Sequence, residues 1–339
     1  MTDDSQQSLK VLIAYNEPDH SKADSDLDFL SEEAVKDEAA AVYENLIKLG
    51  HTPRYLPLAD VVSGLQAIKE FNPDIIFNLC EGFRGNARHE MHVAGIWEIL
   101  GIPYTGNAPV TLGLAQNKVL SKKLFESKKI PTPAYQVYRK IPEETYLSFP
   151  LIAKPAREDA SLGITQDSVM RNPAELKKVV GNLLEKYRQP ILVERYIPGR
   201  EFNVSILGNH LPRVLAISEI DFSKLDKQYY AITSYEAKWL TDHPIYRHTP
   251  AIVPAQVEAG LARRIEDVAL RVYQILMGRD YGRVDIRVDE EERIFVLEYN
   301  PNPDISPDAG YARALTAAGI EYHQFIEILI NEALNRTEQ

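Results

Sequence analysis

The chain has 339 residues, 45% of them apolar and 26% charged, with a net charge of −11. This length implies two or three domains of about 100–150 residues, and no apolar run approaches the roughly 20 residues of a membrane span. The acidic balance excludes a general nucleic-acid binder, and the single cysteine, Cys80, excludes an intramolecular disulfide.

The opening MTDDSQQSLK reads as neither a signal nor a transit peptide, so the expectation is a cytoplasmic protein acting on small molecules without membrane or nucleic-acid partners. KVLIAY (10–15) has the pattern of a buried strand, and EEAVKDEAAAVYENLIKLG (32–50) is spaced as a helix ending at glycine. DIIFNLC (74–80) repeats the strand signal and ARHEMHVAGIWEILG (87–101) the helix signal. Such alternation predicts an α/β unit with a parallel sheet, whose ligands sit beyond the strand ends, near Asn78, Glu81 and Gly82.

A long helix over 109–130 opens a second segment, followed by the break PTP and the strands AYQVY and FPLIAKPA. A helix over 173–188 and the strand ILVERYI complete it. The third segment holds the strands EFNVSILGN and RVLAISEIDF, a polar connection over 223–253, a helix over 255–277, a hairpin, and a last helix over 322–335. The connection exceeds the usual loop length and reads as a lid or binding loop.

In the hairpin GRVDIRVDEEERIFVLEYN, Val284, Ile286 and Val288 alternate with Arg283, Asp285 and Arg287, so one face is core and the other charged. With the turn at EEER, Asp285 lies across from Glu298, with Asn300 one pleat further. Two carboxylates and a carboxamide suit Mg²⁺, which takes few protein oxygens and completes its octahedron with water and phosphate. The ordinary alternative is the polar face of an exposed hairpin. Lys154 ends an apolar strand beside the loop PAREDASLGI, which contains Ser161 and is suited to wrapping N–H groups around phosphates. Lys118 is spaced to reach the same phosphates, although strand-end and helical lysines are often merely solvated. In ILVERYIPGRE, Glu194 and the backbone from Arg195 to Ile197 suit an adenine edge, and Glu201 suits ribose hydroxyls.

In their order along nearly the whole chain, these stretches resemble the ATP-grasp superfamily, and within it the D-alanine–D-alanine ligases: FNLCEGFRG and GIPYTGN, KPAREDASLGI, ERYIPGREFNVSIL, YEAKW, then GRVDIRV and VLEYNPNP. The resemblance implies a three-domain architecture: a Rossmann-like N-terminal domain (1–108), a central ATP-grasp subdomain (109–192), and a C-terminal subdomain (193–339) with the metal and substrate sites. It also implies that Lys118, Lys154, Glu194, Arg195, Ile197 and Glu201 hold ATP, with Ser161 in the loop over the phosphates. Lys238 matches a mobile-loop lysine that approaches the γ-phosphate, and Arg283 an arginine that stabilises an oxyanion. Asp285, Glu298 and Asn300 match the ligands of two Mg²⁺ ions, with Mn²⁺ as a substitute. The implied reaction converts a carboxylate to an acyl phosphate, which an amine attacks; the implied assembly is a homodimer.

The departures fall on the substrate side. The family's FN-x-x-HG reads FNLCEG here, with Glu81 at the histidine position, and its serine pair is Ala160–Ser161. Its tyrosine after the loop lysine is Trp239, and Glu33 is the nearest match to its N-terminal glutamate. In NPNPDISPDAG, Asp304 replaces a glycine, and Ala309 replaces a serine that binds the acceptor carboxylate. Losing that hydroxyl removes a charged hydrogen bond of about 1.5–3 kcal/mol, while Asp304 and Asp308 repel carboxylates and favour a cationic group, unless they face solvent and Asp308 merely caps the next helix. The expectation is an ATP-dependent carboxylate–amine ligase with substrates other than two D-alanines. The alternatives are a genuine D-alanine–D-alanine ligase, a non-catalytic ATP-binding regulator, and an acyl-phosphate-forming kinase or carboxylase.

Overall fold

The computed structural model describes residues 8–17, 26–158, 161–240 and 242–336, with side chains excluded over 26–34. The first unit comprises β1 (Lys10–Asn16), α1 (Asp26–Lys48), β2 (Thr52–Leu58), α2 (Val61–Phe71), β3 (Ile75–Asn78) and α3 (Glu90–Leu100). Its three strands form a parallel sheet in the order β2-β1-β3. Alternation along β1 fixes the layers. Val11 and Ile13 pack with Val35, Val42 and Leu46 of α1, whereas Leu12 and Ala14 pack with Leu56, Ile68, Val93 and Trp97. The sequence reading passed over β2 and α2. Proline and arginine interrupt the apolar pattern of TPRYLPL, and α2 begins only because Asp60 caps it, accepting from Val62 and Ser63 N–H at 2.9 and 3.1 Å.

The single helix expected over 109–130 is two helices, α4 (Pro109–Gln116) and α5 (Lys118–Ser127). At Asn117 the backbone leaves helical geometry (φ −88°, ψ 86°), and its side chain accepts from Leu120 N–H. The Lys118 N–H then reaches Ala156 O at 3.1 Å, tying α5 to the end of the strand that holds Lys154. Apolar periodicity continues through this break, which tertiary hydrogen bonding imposes.

A second sheet contains β4 (Tyr135–Tyr138), β5 (Leu151–Pro155), β6 (Val169–Met170) and, after α6 (Pro173–Tyr187), β7 (Ile191–Arg195). It is antiparallel, in the order β4-β7-β5-β6, and Leu176 and Val180 of α6 cover it. The third sheet is built from β8 (Arg200–Leu207), β9 (Arg213–Ile220), β10 (Ala251–Ile252), β11 (Tyr281–Val288) and β12 (Ile294–Asn300). Its order is β10-β9-β8-β11-β12. The short helices α7 (Tyr235–Trp239) and α8 (Pro244–Arg247) lie in the connection before β10, and α9 (Ala259–Ile275) precedes β11. After β12 come α10 (Gly310–Ala317) and α11 (Tyr322–Leu334). Phe325, Ile326 and Leu329 of α11 share a core with Val11, Ile13 and Phe77, so the chain's end packs back onto the first sheet.

A buried polar seam joins the first and third units. Asn107 Nδ2 donates to Tyr281 O at 2.9 Å and to Pro301 O at 2.6 Å. Asp280, fully buried, accepts from Gly106 N–H at 2.7 Å and from Arg336 at 2.8 Å to each oxygen. This seam fixes the GIPYTGN segment against β11 and the turn after β12.

Candidate active site

A cavity of about 1340 Å³ lies among the three sheets. Its lining includes Arg283, Asp285, Arg287, Glu298 and Asn300 of the β11–β12 hairpin with Glu201 beside Arg287 on β8, and Lys154, Ser161, Glu194, Arg195 and Ile197 around the second sheet. Glu81, Lys238, Trp239, Asp304 and Ala309 close the remaining end.

The hairpin has the register expected from its sequence: Asp285 pairs with Glu298 and Arg283 with Asn300, with a bulge after Asp285. Val284, Ile286 and Val288 are buried in the core behind it. Asp285 is gripped by Arg283, with Nε 2.7 Å from Oδ1 and Nη2 2.9 Å from Oδ2, and Asn203 Nδ2 donates to Oδ1 at 2.7 Å. Glu298 pairs with Lys118 at 3.0 Å. Burial alone would raise the Glu298 carboxyl, but Lys118 and then Lys154 outweigh it and hold the group well below the ordinary carboxylate range. Asn300 Oδ1 accepts from Asn302 N–H at 2.9 Å, which sets the carboxamide at the cavity edge. Among the described residues no group of three or more His, Cys, Asp or Glu side chains is gathered as for a metal ion. The donors here are two carboxylates and an amide oxygen, all hard ligands that suit Mg²⁺.

Lys154, at the end of β5, is buried, and its Nζ lies 2.5 Å from Glu194 Oε2. The other Glu194 oxygen pairs with Lys122, a residue the sequence reading did not single out. It was concealed because LSKKLF looks like a solvated amphipathic face, yet Lys122 is 0% exposed. The Glu194 carboxylate is thus committed to lysines. Arg195 N–H is taken by Ala134 O at 2.9 Å and Tyr196 N–H by Pro150 O at 3.0 Å, which directs the adenine-edge reading to Ile197. Glu201 is buried against Arg287 at 3.2 Å and accepts from Thr233 Oγ1 at 2.6 Å. Burial raises its carboxyl, and Arg287 opposes that rise.

The loop after Lys154 and the long connection after β9 meet. Ser161 adopts a left-handed conformation (φ +62°) and its Oγ donates to Thr233 O at 3.0 Å. Tyr235 N–H reaches Ile164 O at 2.8 Å, and Gln166 exchanges two bonds with the Tyr230 backbone. Gly163 (φ +78°) permits this turn, because a Cβ there would meet Pro155 Cγ at 2.8 Å. The connection places Lys238 over the cavity, with Nζ 5.0 Å from the Trp239 ring centroid. Burial lowers the Lys238 ammonium, Arg283 lowers it further, and Glu81, Asp285 and Asp304 raise it.

At the far end, Asp304 Oδ1 accepts from Ser306 N–H and Oγ at 2.8 and 2.6 Å, and Glu81 N–H donates to Asn16 Oδ1 at 3.1 Å. The side chain of Glu33 lies outside the described residues; among the described side chains of α1, Val35 and Glu38 line the cavity, and Glu38 is the acidic one. Ile305 N–H donates to Glu38 Oε1 at 2.9 Å, and burial, then Glu81 and Asp304, push its carboxyl well above the ordinary range. Asn78 does not line the cavity: its Oδ1 accepts from Trp97 Nε1 at 2.9 Å, although Glu81 and Gly82 after it do line it. Asp308 does not cap α10 either. The N-cap is Ala309, without a side-chain bond, and Asp308 O accepts from Arg313 Nη1 at 2.8 Å.

This arrangement has counterparts. Residues 112–331 match the family model of the D-ala D-ala ligase C-terminus. An uncharacterized protein, y4sG, of Sinorhizobium fredii is 36% identical over 263 residues, covering 77% of this chain and 75% of its own. A D-alanine–D-alanine ligase of Gloeobacter violaceus is 30% identical over 270 residues, covering 78% of this chain and 83% of its own. A crystal structure of D-alanine–D-alanine ligase from Bacillus anthracis, complexed with ATP, superposes with a TM-score of 0.75 at 20% identity, covering 96% of this chain and 98% of that one. Three sheets around one cavity, with lysines and carboxylates facing across it, make this an ATP-grasp protein. The chain belongs to the D-alanine–D-alanine ligase family, as an ATP-dependent ligase that forms amide bonds.

Proposed function

We propose that this ligase activates a carboxylate as its acyl phosphate, joins it to an amine, and takes a substrate pair other than two D-alanines. The observation that supports the substrate reading is the acidic far end of the cavity. Buried Glu38 lies within electrostatic reach of Glu81 and Asp304, and Ala309 stands where the family has a carboxylate-binding serine. With Glu38 holding its proton, the Glu81 and Asp304 carboxylates on this wall disfavour the carboxylate of a second D-alanine and favour a substrate bearing positive charge.

The roles follow from position. Lys154 and Lys238 line the cavity from two different elements, Lys118 backs its wall through Glu298, and the three suit a triphosphate approached from several sides. Ser161 sits in the loop over those phosphates, Ile197 at the adenine edge, Arg195 on the same wall, and Glu201 toward the ribose. Asp285, Glu298 and Asn300 would hold Mg²⁺, in two ions or with Mn²⁺ in its place, and the metal would supply charge neutralisation at the phosphates. Arg283, fixed by Asp285, is placed to stabilise the oxyanion that forms when the amine attacks. Trp239, Glu81 and Asp304 line the substrate end. The homodimer is carried by the family resemblance, and the cytoplasmic location by the polar opening of the chain and its single cysteine. Among the described residues, no helix is long and apolar enough to cross a membrane.

Hydroxylamine trapping tests the reaction class. With ATP, Mg²⁺ and a competent carboxylate, a hydroxamate is expected in step with phosphate release. Phosphate release across a broad carboxylate panel with no hydroxamate would contradict the acyl phosphate. A second reading, genuine D-alanine–D-alanine ligase, is favoured by the names of relatives such as the Gloeobacter protein.

A further inference from the structure

Lys122 is fully buried on α5, one turn after Lys118, so both lysines project from one helical face. Lys118 reaches Glu298 at the end of β12, while Lys122 reaches Glu194 on β7. Lys122 Nζ also donates to Thr132 Oγ1 at 2.6 Å, and Thr132 Oγ1 donates to Val296 O at 2.8 Å. The ammonium is thereby fixed from behind the cavity wall, whereas Lys154, on the opposite side of Glu194, lines the cavity.

The charges explain the arrangement. One carboxylate sits between two ammonium groups and leaves a net positive charge. A buried carboxylate with Lys154 as its sole partner would neutralise that lysine and hold its ammonium away from any anion. Lys122 balances Glu194 from the interior, so the uncompensated charge faces the cavity. Burial lowers the Lys122 ammonium to about 8, against the pull of Glu194. Burial raises the Glu194 carboxyl, but Lys122 and Lys154 together bring it below its ordinary value, as expected for an ionised centre.

We infer that Lys122 is a positioning residue for nucleotide binding: it neutralises Glu194 from behind and so frees the Lys154 ammonium for the phosphates. This rests on the reading of Lys154 as a phosphate contact, and the variants separate the two. The experiment is calorimetric titration of the full chain with ATP, alongside circular-dichroism melts. The proteins are wild type, Lys154→Met, Lys122→Met and the double variant Lys122→Met/Glu194→Gln. Lys154→Met and Lys122→Met are each expected to weaken ATP binding about tenfold or more, the scale of a lost charged hydrogen bond. The double variant is expected to bind ATP about threefold or more tighter than Lys122→Met, because removing Glu194's charge releases Lys154 again. A merely structural lysine would give a double variant no tighter than Lys122→Met, and that result would overturn the inference. Weakened binding by Lys154→Met with unchanged binding by Lys122→Met would overturn it while leaving the phosphate reading in place. Unchanged binding by Lys154→Met would remove both. If Lys122→Met fails to fold, the double variant is set against Lys154→Met, since it keeps the single net positive charge of the wild-type trio: ATP binding no tighter than that of Lys154→Met overturns the inference.

Discussion

Lys118 and Glu298 are 180 residues apart in sequence and 3.0 Å apart in the fold. The pair joins the first turn of α5 to the end of β12, so two separate units share one charge pair, with Lys118 buried and Glu298 lining the cavity. Glu298→Gln is expected to lower ATP turnover at least about 100-fold while the melting curve shows a folded protein. Near-normal phosphate release from a folded variant would remove Glu298 from the metal site.

The lid assignment of Lys238 is tested by its truncation. Lys238→Ala should reduce kcat by about 10- to 100-fold, with a smaller change in the ATP dissociation constant, as for a lysine whose segment closes over bound substrate. Equal kcat in wild type and variant would reduce residues 223–253 to a connection.

Glu38 gives a pH signature. Its carboxyl is raised in the fold by burial and by Glu81 and Asp304, so the folded state holds a proton that the unfolded state releases. Stability from this group is therefore present below the unfolded pKa and declines as pH rises above it. Glu38→Gln keeps an oxygen for Ile305 N–H and should melt higher than wild type near neutral pH, with a flatter dependence above about pH 4.5. A parallel pair of melting-temperature curves would show that Glu38 is not held under this strain.

Gly199 is constrained by its neighbours. Its φ is +121°, and a Cβ there would lie 2.2 Å from Val288 O. Its own carbonyl accepts from Arg287 Nη1 at 2.9 Å, and Arg287 also holds Glu201 and Ala231 O. Gly199→Ala should cost about 2 kcal/mol or more in denaturant unfolding and weaken ATP binding through Glu201. Wild-type stability would show that the turn accommodates a methyl group.

The parts of the site legible in the sequence were those encoded by alternation. The β11–β12 register follows from period-two patterning and turn length, and it delivered Asp285 opposite Glu298. The ATP-grasp architecture came from the order of the motifs. What stayed hidden depends on long-range pairing. Lys122 looks like one of several surface lysines, and only the approach of β7 buries it. Glu38 lies within a helical face of EEAVKDEAA, and nothing local distinguishes it from Glu33. The break at Asn117 arises because Lys118 N–H bonds Ala156 O, a contact between separate segments that periodicity does not register. β2 was missed because prolines at 53 and 57 mask its strand signal, although the parallel pairing to β1 tolerates them at the sheet edge.

Asp304 and Ala309 line the end of the cavity proposed for the acceptor. Asp304→Gly with Ala309→Ser removes a carboxylate and restores a hydroxyl, and it should raise D-alanine acceptance by about tenfold or more. No gain would place the acceptor determinants elsewhere on the cavity wall.

The central claim is that this family member uses a substrate pair other than two D-alanines. The most direct measurement is mass spectrometry of products formed from ATP, Mg²⁺ and D-alanine alone, beside paired carboxylates and amines that include cationic amino acids. The account expects no appreciable D-alanyl-D-alanine and a coupled product from a pair containing a positively charged substrate. Robust D-alanyl-D-alanine formation would contradict it and would make Asp304, Ala309 and Glu81 tolerated changes in an ordinary D-alanine–D-alanine ligase.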